Sequence, residues 1–409
     1  MPFKAYSSES GEIETFEPIS QGQASIYICG PTVYDLIHIG HARSYVVWDI
    51  LRRWLEYSGY EVTHVQNFSD VEESINRKAR KLGITPEEVA KRYIEEFFVD
   101  ADKLNIKRAH HYPTFSENVP AMIRVVQDLL DSGVAYESNG DVYFRTEGGK
   151  GFGRLSHSDP RETVVNELEL PEGRENPFDF VLWRSKTKET ERSWDSPWGE
   201  GRPGWHVGCY VMSSGYLGRC FDIHGGGLDL VFPHHESILL VSEAHGDRPI
   251  CNYFIHNSFV TLGKEKMSKS KGNFVTVREL AERYGGEAIR LYMLKNHYRR
   301  IMDFDEKELE KAARELTELR TKLETLKNGK GKHSSALDAK PKIDEEMARF
   351  KDAMDNDLHT DEAVSAFWSL VNWSFAEASD LSEESIAKAM ETFSTMSGVL
   401  GLLKGFEFK

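Results

Sequence analysis

Two histidines, His38 and His41, flank a glycine in the tetrapeptide HIGH at residues 38–41. Imidazole N–H groups can donate hydrogen bonds to phosphoryl oxygens, and Gly40 lacks the side chain that would keep a nucleotide away from the backbone. The tetrapeptide follows a β-rich run and precedes apolar residues at helical spacing. It therefore falls at a helix N-terminus, whose free N–H groups and dipole favour phosphate. Taken alone, such a pair of histidines is also typical of an ordinary polar loop.

A second group of residues suited to phosphate lies at 266–273, with the sequence KMSKSKGN. Lys266 and Lys269 stand there among serines and a glycine on a predicted loop. A mobile basic loop can close over the β- and γ-phosphates of a nucleotide and stabilise the charge that develops as pyrophosphate leaves. Without the first motif, a solvated surface loop would be the simpler interpretation.

The cysteines are few and widely spaced, at Cys29, Cys209, Cys220 and Cys251. Four dispersed thiols in a chain of 409 residues, with no signal peptide expected, argue against a disulfide framework. Most such cysteines are small buried apolar groups. A ligand role for any of them therefore needs support from neighbouring residues.

The elements that would position these residues begin with a strand at 25–29, which ends at a Gly-Pro turn. Apolar residues then recur at helical spacing over 41–58, and a strand-like pattern returns at 61–68. A strand, a glycine-containing turn, a helix and a second strand form the βαβ unit of a doubly wound sheet. The sequence thus predicts an α/β fold with a doubly wound parallel, Rossmann-type nucleotide-binding sheet.

Changes in composition along the chain predict several segments around this sheet. The stretch 134–203 is rich in glycine, proline and charge, which indicates an inserted region of short strands and loops. The polar stretch 327–342 is typical of a flexible linker. The expected division is, in order, a first half of the nucleotide-binding domain (1–133), the inserted connective region (134–203), the second half of that domain (204–275), a helical region (276–326), the linker (327–342) and a C-terminal helical bundle (343–409).

Composition and charge exclude some classes of protein. The net charge of −15 argues against a protein that coats nucleic acid non-specifically, although a local basic groove could still bind RNA. No run of about 18 apolar residues is present, so no membrane-spanning helix and no membrane partner are expected. The N-terminal residues lack the apolar core of a signal peptide. We therefore expect a cytoplasmic enzyme.

Together and in this order, HIGH and KMSKS resemble the two signature motifs of class I aminoacyl-tRNA synthetases. Further segments are similar to the cysteinyl-tRNA synthetase family, namely ICGPTVYD (28–35), WDSPWG (194–199), GRPGWH (201–206), DIHGGGLDL (222–230) and FPHHE (232–236). The similarity runs from residue 25 to about residue 300, with a weaker echo at 354–358. It implies an enzyme that activates L-cysteine with ATP and transfers it to the 3′ end of tRNA(Cys). It also implies that 276–326 contacts the tRNA stem and that 343–409 is a DALR-like domain.

The same resemblance implies one Zn²⁺ per chain in the amino-acid pocket, held by three protein ligands, Cys29, Cys209 and His234. Zinc is bound tetrahedrally by thiolate and imidazole, and a recognition site keeps one position open. The thiolate of the substrate can fill this position, whereas the hydroxyl of serine binds zinc far less well. Bond chemistry would therefore separate cysteine from serine where pocket size cannot.

The resemblance also implies roles for residues around the cysteine and the nucleotide. Trp205 would wall the pocket, Asp229 would hold the α-ammonium group and Ser69 the carboxylate. The residues expected to bind ATP are His38, Gly40, His41, Gly226 and Lys269. Those expected to stabilise the reacting phosphates, together with Mg²⁺, are His38, His41, Lys266 and Lys269.

Three departures from the family pattern leave the acceptor of the cysteinyl group open. Ile238 stands where the family has a Glu zinc ligand, Gly208 stands where a Glu usually precedes the ligand cysteine, and the small C-terminal module that reads the anticodon is expected to be absent. The cysteine ligase of mycothiol biosynthesis shares the core, a three-ligand zinc and an early end, and it passes cysteine to the amine of glucosaminyl-inositol. His224 and the segment 357–363 look more like the synthetase. A ligase for a small aminosugar and an inactive paralogue remain the alternatives.

Overall fold

The computed structural model describes residues 2–146, 151–158, 173–187, 192–266, 274–329 and 337–408. Its strands are β1 (Lys4–Ser7), β2 (Glu12–Thr15), β3 (Gln23–Ile28), β4 (Glu61–Gln66), β5 (Ala135–Ser138), β6 (Asp141–Phe144), β7 (Phe180–Ser185), β8 (Gly201–Pro203), β9 (Phe221–Gly227), β10 (Cys251–Asn257), β11 (Val260–Leu262), β12 (Glu265–Lys266) and β13 (Met302–Asp303). Its helices are α1 (Ile39–Tyr57), α2 (Glu73–Leu82), α3 (Pro86–Lys103), α4 (Val119–Asp131), α5 (Trp205–Leu217), α6 (Glu236–Gly246), α7 (Val277–Tyr284), α8 (Gly286–Leu294), α9 (Glu306–Asn328), α10 (Lys340–Asp355), α11 (Thr360–Ala376) and α12 (Glu383–Leu400).

The central sheet is four-stranded and parallel throughout, in the order β10–β9–β3–β4. An extended segment borders β4 on its outer side: the backbone N–H of Gln66 donates to the carbonyl of His111 at 3.0 Å, and that of Phe68 to the carbonyl of Pro113 at 2.9 Å. Parallel neighbours need crossover connections, which α1 provides between β3 and β4, and α6 between β9 and β10. The predicted doubly wound α/β sheet is confirmed, and its strand order reverses between β3 and β9.

Side chains of β3 alternate between two cores on opposite faces of the sheet. Ile26 and Ile28 belong to the core that includes α1, whereas Tyr27 and Cys29 belong to the core that includes α5. Cys29 follows the last residue of β3 and is buried. The alternation therefore turns Cys29 toward α5, the helix that carries Cys209.

Helix α1 is anchored to α8 by a buried ion pair. The carboxylate of Asp49 lies 2.5 Å from Arg290, and both side chains are fully buried, while Arg53 donates to the same carboxylate at 2.7 Å. Burial alone would raise the pKa of Asp49, but the two guanidinium groups outweigh burial and hold this pKa below its usual value. The helix predicted over 41–58 is thus a fixed element, and the HIGH motif stands at its start.

The inserted region contains an antiparallel sheet in the order β5–β6–β7–β8, in keeping with the predicted short strands. In the C-terminal helix α11, Phe367, Leu370 and Val371 are buried, whereas Phe375 near its end is 38% exposed. Residues 330–336 of the predicted linker lie outside the described ranges, and α9 and α10 extend into its two ends. The division of the chain at particular residues stays a prediction.

Among the described residues, no helix combines the length and apolar character needed to cross a membrane.

Candidate active site and metal-binding cluster

A cleft of about 380 Å³ opens at the carboxyl ends of β3 and β9, beside the start of α1. This is the point at which the strand order reverses, where open α/β sheets bind their ligands. The predicted site residues that line the cleft are Cys29, His38, Gly40, His41, Trp205 and Asp229. The structure thus brings together residues that are up to 200 positions apart in the chain.

Ser69 and Gly226 do not line the cleft: Ser69 holds a wall segment of it, and Gly226 makes room for the nearby His235. Ser69 is buried, its backbone N–H donates to the carbonyl of Pro31 at 3.1 Å, and its carbonyl accepts from Val33 at 3.2 Å. It therefore fixes one wall of the cleft through the backbone. A Cβ atom on Gly226 would lie 2.9 Å from Cε1 of His235, so the missing side chain leaves room for that imidazole.

The two histidines of the HIGH motif cap helix α1. The Nδ1 atom of His38 accepts from the backbone N–H groups of Gly40 at 3.1 Å and His41 at 3.4 Å, and Nδ1 of His41 accepts from the backbone of His38 at 3.3 Å. Backbone N–H groups only donate, so each Nδ1 is an acceptor, and a neutral ring then carries its proton on Nε2. Both rings can thus donate through Nε2 to an oxyanion at the positive end of the helix.

Gly40 leaves no room for a side chain beside His38. A Cβ atom at this position would lie 2.9 Å from Cε1 and 3.0 Å from Nδ1 of the imidazole. A larger residue would displace the ring from its capping position. The glycine therefore sets the orientation of the histidine in addition to keeping the backbone open.

The KMSKS motif is only partly described, since residues 267–273 lie outside the described ranges. Lys269 is among them, and Lys266 is the last residue of β12. The chain that follows the motif is bonded directly to the HIGH motif, because the backbone N–H of Ile39 donates to the carbonyl of Val275 at 3.1 Å. The fold therefore holds Val275, two residues after the motif, beside the start of α1.

Cys29, which lines the cleft, forms a buried cluster with Cys209 and His234. The Sγ atom of Cys29 lies 3.9 Å from Sγ of Cys209 and 3.7 Å from Nε2 of His234. Bonds of about 2.3 Å to sulfur and about 2.1 Å to nitrogen place tetrahedral zinc ligands about 3.5–3.8 Å apart. The spacing and the donor types therefore fit a zinc ion.

Burial also shifts the pKa values of the thiol and imidazole groups in this cluster. It raises the pKa of the Cys29 thiol well above its usual value, and the neighbouring Cys209 raises this pKa further. Burial lowers the pKa of His234 well below its usual value, and His206 and His224 add to the effect. Neutral imidazole is the form that ligates a metal, and a cation would offset the cost of a buried thiolate. These electrostatics favour a divalent cation in the cluster.

A second group of possible ligands shares Cys29. The Nε2 atoms of His235 and His224 lie 3.2 and 3.5 Å from Sγ of Cys29, and the three side chains are buried. The roles of His224 and His235 at this sulfur were not predicted from the sequence. The only signals were the adjacent histidines in FPHHE and the histidine of DIHGGGLDL, because contacts across about 200 residues leave no local pattern.

Two side chains orient His234. Its Nδ1 atom lies 3.0 Å from Nδ1 of His206, and burial lowers the pKa of His206 to about 4, so His206 is neutral and can accept a hydrogen bond. The ring of Trp205 stacks on the imidazole of His234, with centroids 4.1 Å apart and planes inclined by 15°. A donor bond from Nδ1 leaves Nε2 unprotonated and directed to the cluster, which is the arrangement of a metal-ligating histidine.

No carboxylate joins the Cys/His groups among the residues the structure describes. Ile238 is fully buried in α6 and offers no ligand atom. The nearby Glu236 accepts through Oε1 from the backbone N–H groups of Gly153 at 2.9 Å, Leu155 at 2.8 Å and Ser156 at 3.1 Å. Its carboxylate thus holds a loop against α6.

Comparison with known proteins agrees with this geometry. Residues 15–314 match the family described as tRNA synthetases class I (C) catalytic domain, and residues 349–404 match the DALR domain. A cysteine–tRNA ligase of Caldicellulosiruptor saccharolyticus is 43% identical over 411 aligned positions, which cover 99% of this chain and 88% of that protein. A cysteine–tRNA ligase of Clostridioides difficile is also 43% identical, with 98% and 88% covered.

Solved structures share the fold at low sequence identity. The methionyl-tRNA synthetase of Mycobacterium tuberculosis bound to methionyl-adenylate superposes with a TM-score of 0.69 at 15% identity, covering 94% of this chain and 92% of that chain. A ternary complex of the agnB2 LeuRS of Agrobacterium radiobacter gives a TM-score of 0.67 at 11% identity, with 94% and 85% covered. At this identity the likeness concerns the fold alone.

Proposed function

Because the chain belongs to the cysteine–tRNA ligase family of class I aminoacyl-tRNA synthetases, we propose that it activates L-cysteine with ATP and transfers the cysteinyl group to the 3′ end of tRNA(Cys). The observation that carries the proposal is one cleft lined both by the HIGH motif and by Cys29 of the Cys/His cluster. The curated relatives described above are named as tRNA ligases, and no observation favours a small aminosugar as the acceptor. With ATP and tRNA as partners, the enzyme would act in the cytoplasm.

In the activation step, a carboxylate oxygen of cysteine attacks the α-phosphorus of ATP, and the bond to the bridging oxygen of pyrophosphate breaks in line. His38 and His41 donate through Nε2 to the phosphate oxygens at the N-terminus of α1. Lys266 and Lys269 would stabilise the charge on the departing pyrophosphate, and bound Mg²⁺ would supply further positive charge there. Because their capping bonds fix His38 and His41 before the reaction, these two donors need little reorganisation as charge moves to the leaving group.

The amino acid is held between the cleft wall and the metal-binding cluster. Asp229 lines the cleft and binds the α-ammonium group, and Trp205 covers one side of the pocket. Ser69 makes two backbone hydrogen bonds that fix a wall segment of the cleft, and in this way it helps to position the substrate carboxylate. These contacts place the carboxylate near the helix N-terminus, where the α-phosphate would lie.

The residues Cys29, Cys209 and His234 fit a zinc ion in donor type and in spacing. When bound there, zinc supplies an open coordination position that takes a thiolate far better than a hydroxyl, and so separates cysteine from serine. His206 and Trp205 keep the imidazole of His234 in the orientation that zinc binding needs.

In the second step, a terminal ribose hydroxyl of tRNA attacks the activated carbonyl, and AMP leaves.

The metal part of the proposal is tested with two cysteine variants. Purified wild type should contain about one zinc per chain, Cys209→Ala should contain almost none, and Cys220→Ala, outside the cluster, should match wild type. Cysteine-dependent ATP–pyrophosphate exchange should follow the same order. Equal zinc contents in wild type and Cys209→Ala would refute the metal site.

A further inference from the structure

A line of short contacts connects the N-terminal hairpin to Cys29. The hydroxyl of Ser8, directly after β1, lies 2.7 Å from Nδ1 of His256. Nε2 of His256 lies 2.7 Å from Nδ1 of His235, and Nε2 of His235 lies 3.2 Å from Sγ of Cys29. All four residues are buried, so water does not compete for these bonds.

When Cys29 is a metal-bound thiolate, the donor and the acceptor of each hydrogen bond between Ser8 and Cys29 are determined. The rings of His235 and His256 are both buried away from water, where the neutral form with one ring proton is favoured over the charged form. A thiolate only accepts, so Nε2 of His235 must donate to Cys29 and Nδ1 must accept from Nε2 of His256. Nδ1 of His256 then needs a donor, and the hydroxyl of Ser8 is that donor.

The backbone of Ser8 is fixed on both sides. Its N–H donates to the carbonyl of Phe254 in β10 at 2.7 Å, and its carbonyl accepts from Nε2 of His157 at 2.8 Å. The side chain is therefore presented to His256 from a fixed position. Through His256, Ser8 selects the tautomer of His235, a residue more than 200 positions away.

We infer that Ser8 is a positioning residue for the metal-binding cluster: its hydroxyl bond to His256 makes His235 a donor to the Cys29 thiolate. A hydrogen bond of this kind withdraws charge from the sulfur and fixes the orientation of the ligand. The inference rests on the proposed zinc site. It adds a role for the N-terminal hairpin, which lies outside the described cleft lining.

The test uses Ser8→Ala, with Ser8→Thr to restore the hydroxyl and Ser7→Ala as a buried control in the same hairpin. Metal-free protein is titrated with Zn²⁺ against a chromophoric chelator, and with Co²⁺ while the thiolate-to-cobalt charge-transfer band is recorded. Removing the outer partner of a ligand network weakens metal binding by about tenfold or more, so Ser8→Ala should raise the zinc Kd by about tenfold. Its cobalt band should move to longer wavelength, because a thiolate without the N–H bond gives up its electron more easily.

Ser8→Thr and Ser7→Ala should bind both metals like wild type. A zinc Kd and a cobalt band unchanged in Ser8→Ala would overturn the inference while leaving the zinc site in place. Equal weakening by Ser7→Ala would also overturn it, since packing of the hairpin would then explain the loss. If wild type itself binds neither metal, the zinc site fails and the role of Ser8 fails with it.

Discussion

The ring of Phe115 fills the space that a side chain on Gly208 would need. A Cβ atom built on Gly208 would lie 1.9 Å from Cε2 and 2.6 Å from Cζ of Phe115. Phe115 is buried, and its backbone N–H donates to the carbonyl of Phe68 at 3.1 Å, so the ring has little freedom to withdraw. This contact explains why the residue before Cys209 is glycine here, where the family usually has glutamate.

Gly208→Ala should therefore destabilise the protein, although alanine is the better helix former. Overpacking of a filled core costs about 1–3 kcal/mol, which exceeds the gain of up to about 1 kcal/mol from replacing glycine within a helix. The matched control is Gly215→Ala in the same helix α5, where a Cβ meets no atom within 4 Å. Urea unfolding should show a lower free energy of unfolding for Gly208→Ala and a slightly higher one for Gly215→Ala, each relative to wild type. Equal gains in both would show that Phe115 can move aside.

His38 has two functions that conservative variants can separate. Asn retains a δ-position acceptor and is a preferred N-cap, so His38→Asn should keep the free energy of unfolding within about 0.5 kcal/mol of wild type. Without Nε2, cysteine-dependent pyrophosphate exchange should fall by about 10²-fold. His38→Ala should lose the exchange and, in addition, about 1 kcal/mol of stability. Near-normal exchange in His38→Asn would remove the imidazole from the proposed chemistry.

Glu236 is predicted to act in folding and not as a metal ligand. Glu236→Gln keeps an oxygen that can accept from the three backbone N–H groups but removes the charge that strengthens these bonds, and the variant should lose about 1–3 kcal/mol of unfolding free energy. Its zinc content should equal that of wild type. Glu243→Gln on the same helix removes a partly exposed ion pair with Arg154 and should cost less than about 1 kcal/mol. Loss of zinc in Glu236→Gln would mean that this carboxylate takes the place that Ile238 leaves vacant.

The burial of His64 predicts that the free energy of unfolding falls in acid. Neither ring nitrogen has a hydrogen-bond partner among the described residues, and burial, together with nearby Arg52, lowers the pKa of His64 to about 3. In the unfolded chain the pKa is about 6.5, so below that pH the unfolded state binds a proton that the folded state does not. The contribution of His64 to stability is present above pH 6.5 and falls by about 1.4 kcal/mol per pH unit toward pH 3.

The variant His64→Leu lacks this proton uptake. Its unfolding free energy relative to wild type should rise by about 2 kcal/mol between pH 6.5 and pH 4.5, since the full slope is reached only below the unfolded pKa of about 6.5. Urea unfolding at a series of pH values measures this difference, and effects of the remaining histidines cancel. A constant difference across the range would show that His64 is protonated in the folded protein or binds water there.

The sequence was sufficient for the doubly wound sheet, because the strand, the HIGH turn and α1 are adjacent and their apolar spacing is strong. Grouping Cys29, Cys209 and His234 required the resemblance to a known family, since no local pattern joins Cys29 to residues 180 and more positions away. The supporting contacts of Ser8 and His256, and the packing of Phe115 against Gly208, could not be predicted. They depend on which faces meet after the sheet has formed. The role of the cluster stays a prediction for the zinc measurements above, and the role of Lys269 stays a prediction.

The transfer step tests the central claim most directly. The protein is incubated with ATP and radiolabelled cysteine, in parallel with total tRNA and with glucosaminyl-inositol, and label is followed in acid-precipitable RNA and in small aminosugar. We predict label in RNA that requires ATP, is lost on alkaline hydrolysis of the ester, and is absent when serine replaces cysteine. Label in the aminosugar without label in RNA would contradict the assignment as a cysteine–tRNA ligase.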